Sequence, residues 1–223
     1  MKKVITAFAP VFCLLFTTIL VNGQNKPVTS EVTKIPEGKG WKLVNRQVTV
    51  VEDSGKRAIH FDEKSGQGLA WIEGSDFTEG VIEVDIKGKN VLQRSFVGVA
   101  FRGVDEKIHD AVYFRPFNFK SEDPVRRIHA VQYVSHPNFP WNKLRQERNG
   151  IFEKAVNPVP DPDGWFHARI VIANRKVSVY VNDAKEPSLV VDELSEREGG
   201  WVGLWVGEGS DGVFANLKIT PTK

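Results

Sequence analysis

The chain has 223 residues, of which 41% are hydrophobic, 26% charged and 10% aromatic. These values belong to an ordinary globular protein and exclude wholesale disorder and collagen-like sequence. Of the 30 basic residues, Lys2 and Lys3 fall in an N-terminal leader that holds no acid, so the remainder is balanced against 28 acidic residues. A balanced surface has no long-range field to gather nucleic acid or anionic lipid, and no nucleic-acid partner is expected.

The leader opens with Lys2 and Lys3 and continues through a mostly apolar run from Val4 to Leu20 that contains Pro10. It ends in Val21-Asn22-Gly23, with modest residues where a signal peptidase reads. Residues 1–23 therefore read as a signal peptide cleaved after Gly23, and the protein is expected to be periplasmic or secreted. The apolar run is shorter than the ~20 residues a spanning helix needs, so no stable membrane insertion is expected after cleavage. The single cysteine, Cys13, lies inside this run. The mature chain then has neither a disulfide nor a thiolate and must rely on a packed core.

Residues 24–40, with Pro27 and Pro36, read as an extended lead-in, and residues 41–223 as one domain. From Gln47 onward, short runs rich in Val, Ile, Phe, Tyr and Trp alternate with period two between Gly, Asn, Asp and Pro. Strands are expected over 47–52, 57–61, 68–73, 80–87, 96–102, 111–119, 127–134, 165–173, 176–182, 188–191, 201–206 and 212–220. A short helix is expected around 141–149 and a proline-rich surface loop over 157–164. In 165–173 the apolar face is Phe166, Ala168, Ile170 and Ile172, and in 80–87 it is Ile82, Val84 and Ile86. Strands covered on one side in this way imply an all-β, two-sheet antiparallel sandwich.

Four ordered features in the C-terminal half carry a likeness. They are Gly164-Trp165-Phe166-His167-Ala168-Arg169-Ile170, Lys176 to Asp183 with Tyr180, Gly200-Trp201-Val202-Gly203-Leu204-Trp205-Val206, and Gly212 to Ile219 with Phe214 and Asn216. Together they resemble the closing strands of concanavalin A-like, laminin-G-like jelly rolls. Glu79 to Asp85 and Val97-Gly98-Val99-Ala100-Phe101-Arg102 resemble the early strands. The chain is also similar to the 3-keto-disaccharide hydrolase-like domains of secreted bacterial proteins. The resemblance implies a jelly-roll sandwich and a carbohydrate ligand on the concave sheet face. It leaves open whether the protein cleaves a glycosidic linkage or is a non-catalytic binding or adhesion module.

The paired acids of a retaining glycosidase of this fold, Glu-x-Asp-x-x-Glu, are matched only by Glu83 and Asp85, with Gly88 at the third position. These two share a strand face ~7 Å apart and read as a solvated pair, so hydrolysis by that motif is not expected. The densest functional signal lies between His109 and Arg145. Tyr113, Arg115, Phe117 and Phe119 fall on one face of an expected strand, and Arg127, His129 and Tyr133 on one face of the next, with Gln132 opposite. Stacking rings (Tyr113, Tyr133, Trp141), donors (Arg102, Arg115, Arg127, Arg145), amides (Asn118, Gln132) and imidazoles (His129, His136) are thus candidates for binding substrate. His129, partnered by Glu147 or Glu153, is the candidate acid/base set. His109, His129 and His136 match no compact metal motif, so no metal is assigned. No cofactor is expected, although Asp161 and Asp163, or Glu208 and Asp211, could hold a structural calcium or simply form turns. Trp201 and Trp205 flank Gly203 on one strand face and could either bracket a sugar slot or be covered by a neighbour.

Overall fold

The computed structural model describes residues 28–29 and 31–222; the leader, Met1–Gly23, lies outside them. In chain order the elements begin with β1 (Val28–Thr29), a 3-10 helix (Val32–Glu37), β2 (Trp41–Val44), β3 (Val48–Asp53), β4 (Lys56–Lys64), β5 (Gly68–Ile72), β6 (Gly80–Lys87), β7 (Val97–Gly103) and β8 (His109–Phe114). There follow α1 (Pro116–Phe119), α2 (Pro124–Arg127), β9 (Val131–His136), α3 (Trp141–Glu147) and β10 (Glu153–Lys154). The chain closes with β11 (Trp165–Ala173), β12 (Lys176–Val181), β13 (Leu189–Asp192), β14 (Trp201–Val206) and β15 (Ser210–Pro221).

The strands form the expected jelly-roll sandwich. One sheet runs β13-β12-β11-β6-β15-β4-β3, with β1 added on β15, and the other runs β10-β9-β8-β7-β14-β5-β2. In the first, β6 and β11 pair with Phe166 opposite Ile86 and Ile170 opposite Ile82. Those apolar positions are buried, and the alternate ones, such as Glu83 and His167, are partly exposed. The second sheet shows no such alternation. β7 and β8 are buried at every residue and β9 at all but its last. One of its faces packs on the first sheet, where the Phe114 and Phe166 rings meet at 4.9 Å. The other is covered by the excursions that follow β8 and β9. Among the described residues no helix is long and apolar enough to cross a membrane.

The structure corrects three expectations. The strand expected over 111–119 stops at Phe114, because Pro116 lacks an N–H to continue the ladder while its fixed φ suits the first position of a helix, here α1. The strand expected over 127–134 starts only at Val131, because Asp123 caps α2, its side chain accepting from the Val125 N–H at 2.8 Å with Pro124 next in line. The described part of the lead-in is not simply extended. Val28–Thr29 pairs with β15, and the 3-10 helix buries Val32 and Ile35 before Gly38, at φ 69°, ends it.

Candidate functional site

One cross-strand row organises the face of the seven-stranded sheet that points away from its partner sheet. Leu69, Trp205, Gly98, Tyr113, Gln132 and Glu153 lie opposite one another in sequence across β5, β14, β7, β8, β9 and β10. Because cross-strand partners share a face, the row turns an indole, a phenol, an amide and a carboxylate to the same side. Gly98 supplies the gap in which the Tyr113 and Trp205 rings meet at 5.0 Å. Phe96 adds an edge contact to Tyr113 at 6.1 Å, and Phe117 one to Phe96 at 5.5 Å.

Arg115, at the start of α1, lies across this row. Its Nη2 donates to Tyr113 Oη at 2.8 Å and to Gln132 Oε1, while Tyr113 Oη in turn donates to Gln132 Oε1 at 2.7 Å. Its Nη1 donates to the His129 carbonyl at 2.9 Å and approaches Glu153 Oε2 at 3.5 Å. Glu153 is 2% exposed and is clasped from the other side by Arg145, whose Nε and Nη2 donate to its two oxygens at 3.0 and 2.7 Å. That two-pronged geometry positions α3, and with it Trp141, over whose ring the Arg145 guanidinium stands at 5.1 Å.

Above the row lies a cleft of about 870 Å³ lined by residues that include Trp205, Tyr113, Asn118, His129, Trp141 and Arg145. Its size is ordinary for a small-ligand site, about 300–1,000 Å³. The His129 Nδ1 lies 2.9 Å from Glu153 Oε2 but out of line for a hydrogen bond. Burial lowers the pKa of the imidazole, the Glu153 charge opposes this and the Arg145 and Arg115 charges add to it. The net shift is downward, which favours the neutral ring. With Nδ1 turned to Glu153, Nε2 is the ring nitrogen left for the cleft. Burial likewise lowers the pKa of His136, which also lines the cleft and packs at a tilt against buried His109, ring centres 5.1 Å apart.

Of the candidates read from the sequence, Tyr113, Arg115, Asn118, His129, His136, Trp141 and Arg145 line the cleft, and Gln132 and Glu153 support it from beneath. Four stand elsewhere. Tyr133 belongs to the opposite face of β9, where it is fully buried; its hydroxyl donates to Asp110 at 2.8 Å and accepts from the Leu194 N–H at 3.0 Å. Arg102 is buried in an ion pair with Glu193 at 2.8 Å and donates to the Glu198 carbonyl, which fastens the segment before β14 to β7. Arg127 is exposed at the end of α2 and does not line the cleft, whereas its neighbour Arg126 does. Glu147 is exposed on α3 and does not line the cleft that Trp141 and Arg145 border.

The two tryptophans of β14 divide. A side chain at Gly203 would meet the Trp71 ring at 2.9 Å, so the slot beside Trp201 is filled by that indole, which packs edge-on against Trp201. Trp205 alone faces the cleft, its Nε1 donating to Gln67 Oε1 at 3.0 Å. Of the calcium candidates, Asp161 accepts the Asp163 N–H in a turn, Asp163 accepts the Asn90 N–H from the loop after β6, Glu208 accepts from Gly66, and Asp211 is paired with Lys89 at 2.9 Å. Among the described residues no group of three or more His, Cys, Asp or Glu converges to hold a metal.

Gln67, Gln93, Phe96, Lys107 and Arg126 are lining residues that the sequence reading did not single out. The one available signal was in the loop after β6, which places Val91 and Leu92 half exposed beside Gln93 and Phe96.

No family model matches the sequence, and no curated protein shows significant similarity to it. Solved structures do resemble the fold. The carbohydrate binding module CBM66 from Bacillus subtilis superposes with a TM-score of 0.55 at 19% identity, covering 81% of this chain and 95% of that one. The exoplasmic/lumenal domain of VIP36, in a Ca2+/Man3GlcNAc-bound form, gives 0.52 at 12% identity over 85% of each chain. A structure described as a native glycosidic hydrolase gives 0.55 at 14% identity, covering 89% of this chain and 97% of that one. At such identities the likeness shows the fold, a lectin-like β-sandwich.

Proposed function

We propose that the protein binds a saccharide in the cleft over the seven-stranded sheet. The observation that carries this reading is the pairing of aromatic and planar polar groups in one cleft. Half-exposed Trp141 offers a ring face, buried Trp205 and Tyr113 give the cleft an aromatic floor, and Asn118, Arg115 and Arg145 border them. Sugar rings present apolar C–H faces and a rim of hydroxyls, which is the complement of that arrangement. The lectin-like fold, shared with a carbohydrate binding module and a glycan-bound domain, supports the same reading. The leader read over Met1–Gly23 would deliver the protein to the periplasm or the exterior, where such ligands are met.

A second reading, cleavage of a glycosidic linkage, is favoured by one observation. His129 borders the cleft with a buried carboxylate 2.9 Å from its Nδ1, and burial shifts its pKa toward the neutral form, as suits an acid/base group. Glu153 itself is committed to two arginines, and Glu147 is remote from the site.

A glycan array combined with an oligosaccharide-hydrolysis screen on purified wild type, Trp141→Ala and His129→Ala tests both readings. Retention of a glycan by wild type and its loss in Trp141→Ala at unchanged Tm is the expected result. Failure to retain any glycan overturns the proposal. Product release that His129→Ala abolishes while binding persists would make the protein an enzyme, and binding without turnover in both wild type and His129→Ala would make it a lectin-like module.

A further inference from the structure

The charge balance of the chain beyond its leader does not hold inside the cleft. Lys107, Arg115, Arg126 and Arg145 line it against a single carboxylate, Glu208, which is itself occupied by the Gly66 N–H at 2.8 Å. Buried Glu153 is shared by Arg115 and Arg145, so that trio retains one positive charge. Arg145 spends Nε and Nη2 on Glu153, which leaves Nη1, on a side chain one-third exposed, for a ligand. Arg126 has only a 3.9 Å ion pair with Asp123 between two exposed side chains, a contact worth little in water.

A second, independent feature also asks for a ligand. Asn118 is 4% exposed, and its Nδ2 donates to the His129 carbonyl at 3.2 Å while its Oδ1 is buried and accepts from nothing. Exchanging the amide ends would set oxygen against oxygen, so the orientation is fixed by that bond. A buried carbonyl without a donor is costly, and a hydroxyl in the cleft would satisfy it.

We infer that the saccharide is an acidic one, whose oxyanion sits on Arg126 and Arg145 while a ring hydroxyl donates to Asn118 Oδ1. The inference rests on the saccharide reading above and narrows it. A uronate carboxylate and a sulfate ester present the same chemistry to a guanidinium, so both are covered. A neutral glycan would fill the cleft and leave its cations unanswered.

Calorimetric titration separates the cases. The probes are an oligogalacturonate, its methyl ester, a sulfated galactan oligosaccharide and a neutral galactan oligosaccharide, each at low and high ionic strength, with wild type and Arg126→Gln. Arg126 is exposed, so the variant should keep the wild-type Tm. An acidic probe is expected to bind about tenfold or more tighter than its neutral counterpart, with the advantage shrinking at high salt and nearly vanishing in Arg126→Gln. Preference for the uronate or for the sulfated probe identifies the anion, and either result supports the inference. Equal affinity for acidic, esterified and neutral probes overturns it while leaving the saccharide reading intact. Acidic-probe binding that Arg126→Gln does not weaken overturns the assigned seat. Absence of binding by every probe overturns the inference, while the saccharide reading falls only if the glycan array also retains nothing.

Discussion

Trp205 and Tyr113 belong to strands that are not neighbours, yet their rings meet at 5.0 Å because Gly98 is the cross-strand partner of both. A Cβ on Gly98 would come within 2.6 Å of the Tyr113 Cα and 2.8 Å of its Cβ. The aromatic floor of the cleft thus exists because the strand between its two rings carries no side chain at that point.

Gly98→Ala should therefore separate the rings by forcing β8 outward. Overpacking of this kind costs about 1–3 kcal/mol, read as a shift of the urea midpoint. Trp205 emission should change with it, and any glycan affinity should fall. An unchanged midpoint and unchanged affinity would show that the two rings do not act together.

Glu153→Gln removes the one carboxylate that answers Arg115 and Arg145, leaving buried positive charge without a partner. Breaking a buried pair from one side costs about 3–5 kcal/mol, so this variant should be strongly destabilised in denaturant melts. Glu147→Gln, on the exposed side of α3, should fall within about 0.5 kcal/mol of wild type and leave ligand binding unaltered.

His109 is fully buried, neither ring nitrogen has a hydrogen-bond partner, and burial, aided by His136 and Arg197, pushes its pKa down to about 3. The unfolded chain accepts a proton below about pH 6.5 that the folded chain refuses, so stability falls as pH drops from there toward 3. At about pH 5 the loss is about 2 kcal/mol relative to neutral pH. His109→Leu should abolish that part of the acid sensitivity, so its Tm relative to wild type should be higher at about pH 5 than at about pH 8.

On the outer face of the eight-stranded sheet, His167 Nδ1 lies 2.8 Å from Asp85 Oδ1. The hydrogen bond to Asp85 raises the His167 pKa against the effect of burial. Burial pushes Asp85 upward, but bonds from His167, Lys56 and Asn216 override it and hold the carboxyl well below its ordinary value. The His167 contribution is fully present below about pH 6.5 and is lost as pH rises through its raised value. The Asp85 contribution is present above about pH 4 and is lost as pH falls through its depressed one. His167→Gln should accordingly lower Tm most between about pH 4 and 6.5 and progressively less above. Equal loss at all pH values would show that His167 contributes packing alone.

Where one face of a strand meets water, period-two alternation was enough to locate it. β6 and β11 run over Gly80–Lys87 and Trp165–Ala173, the ranges the alternation marks. Proline chemistry was legible too, but its weight against β-rich neighbours was not. Arg115-Pro116 opens a one-turn helix where Tyr and Phe suggested a strand, and Asp123-Pro124 opens one that ends on Arg127, where the next strand was expected to begin; it is α2 that brings Arg126 rather than Arg127 to the cleft.

The sequence by itself determined the class of sandwich and the stretch, His109 to Arg145, from which most cleft residues come, because both are written in local composition and periodicity. Tertiary structure alone decided which way that stretch faces. Alternation separates Gln132 from Tyr133 but does not say which of them meets the core. That choice is made by what lies over each face of β9: Tyr133 reaches the Leu194 N–H just after β13 of the facing sheet, and Gln132 meets the Tyr113 hydroxyl on the cleft side. Trp205 and Phe96 likewise join the site only through cross-strand register, which links residues far apart in the chain and leaves no local mark on either.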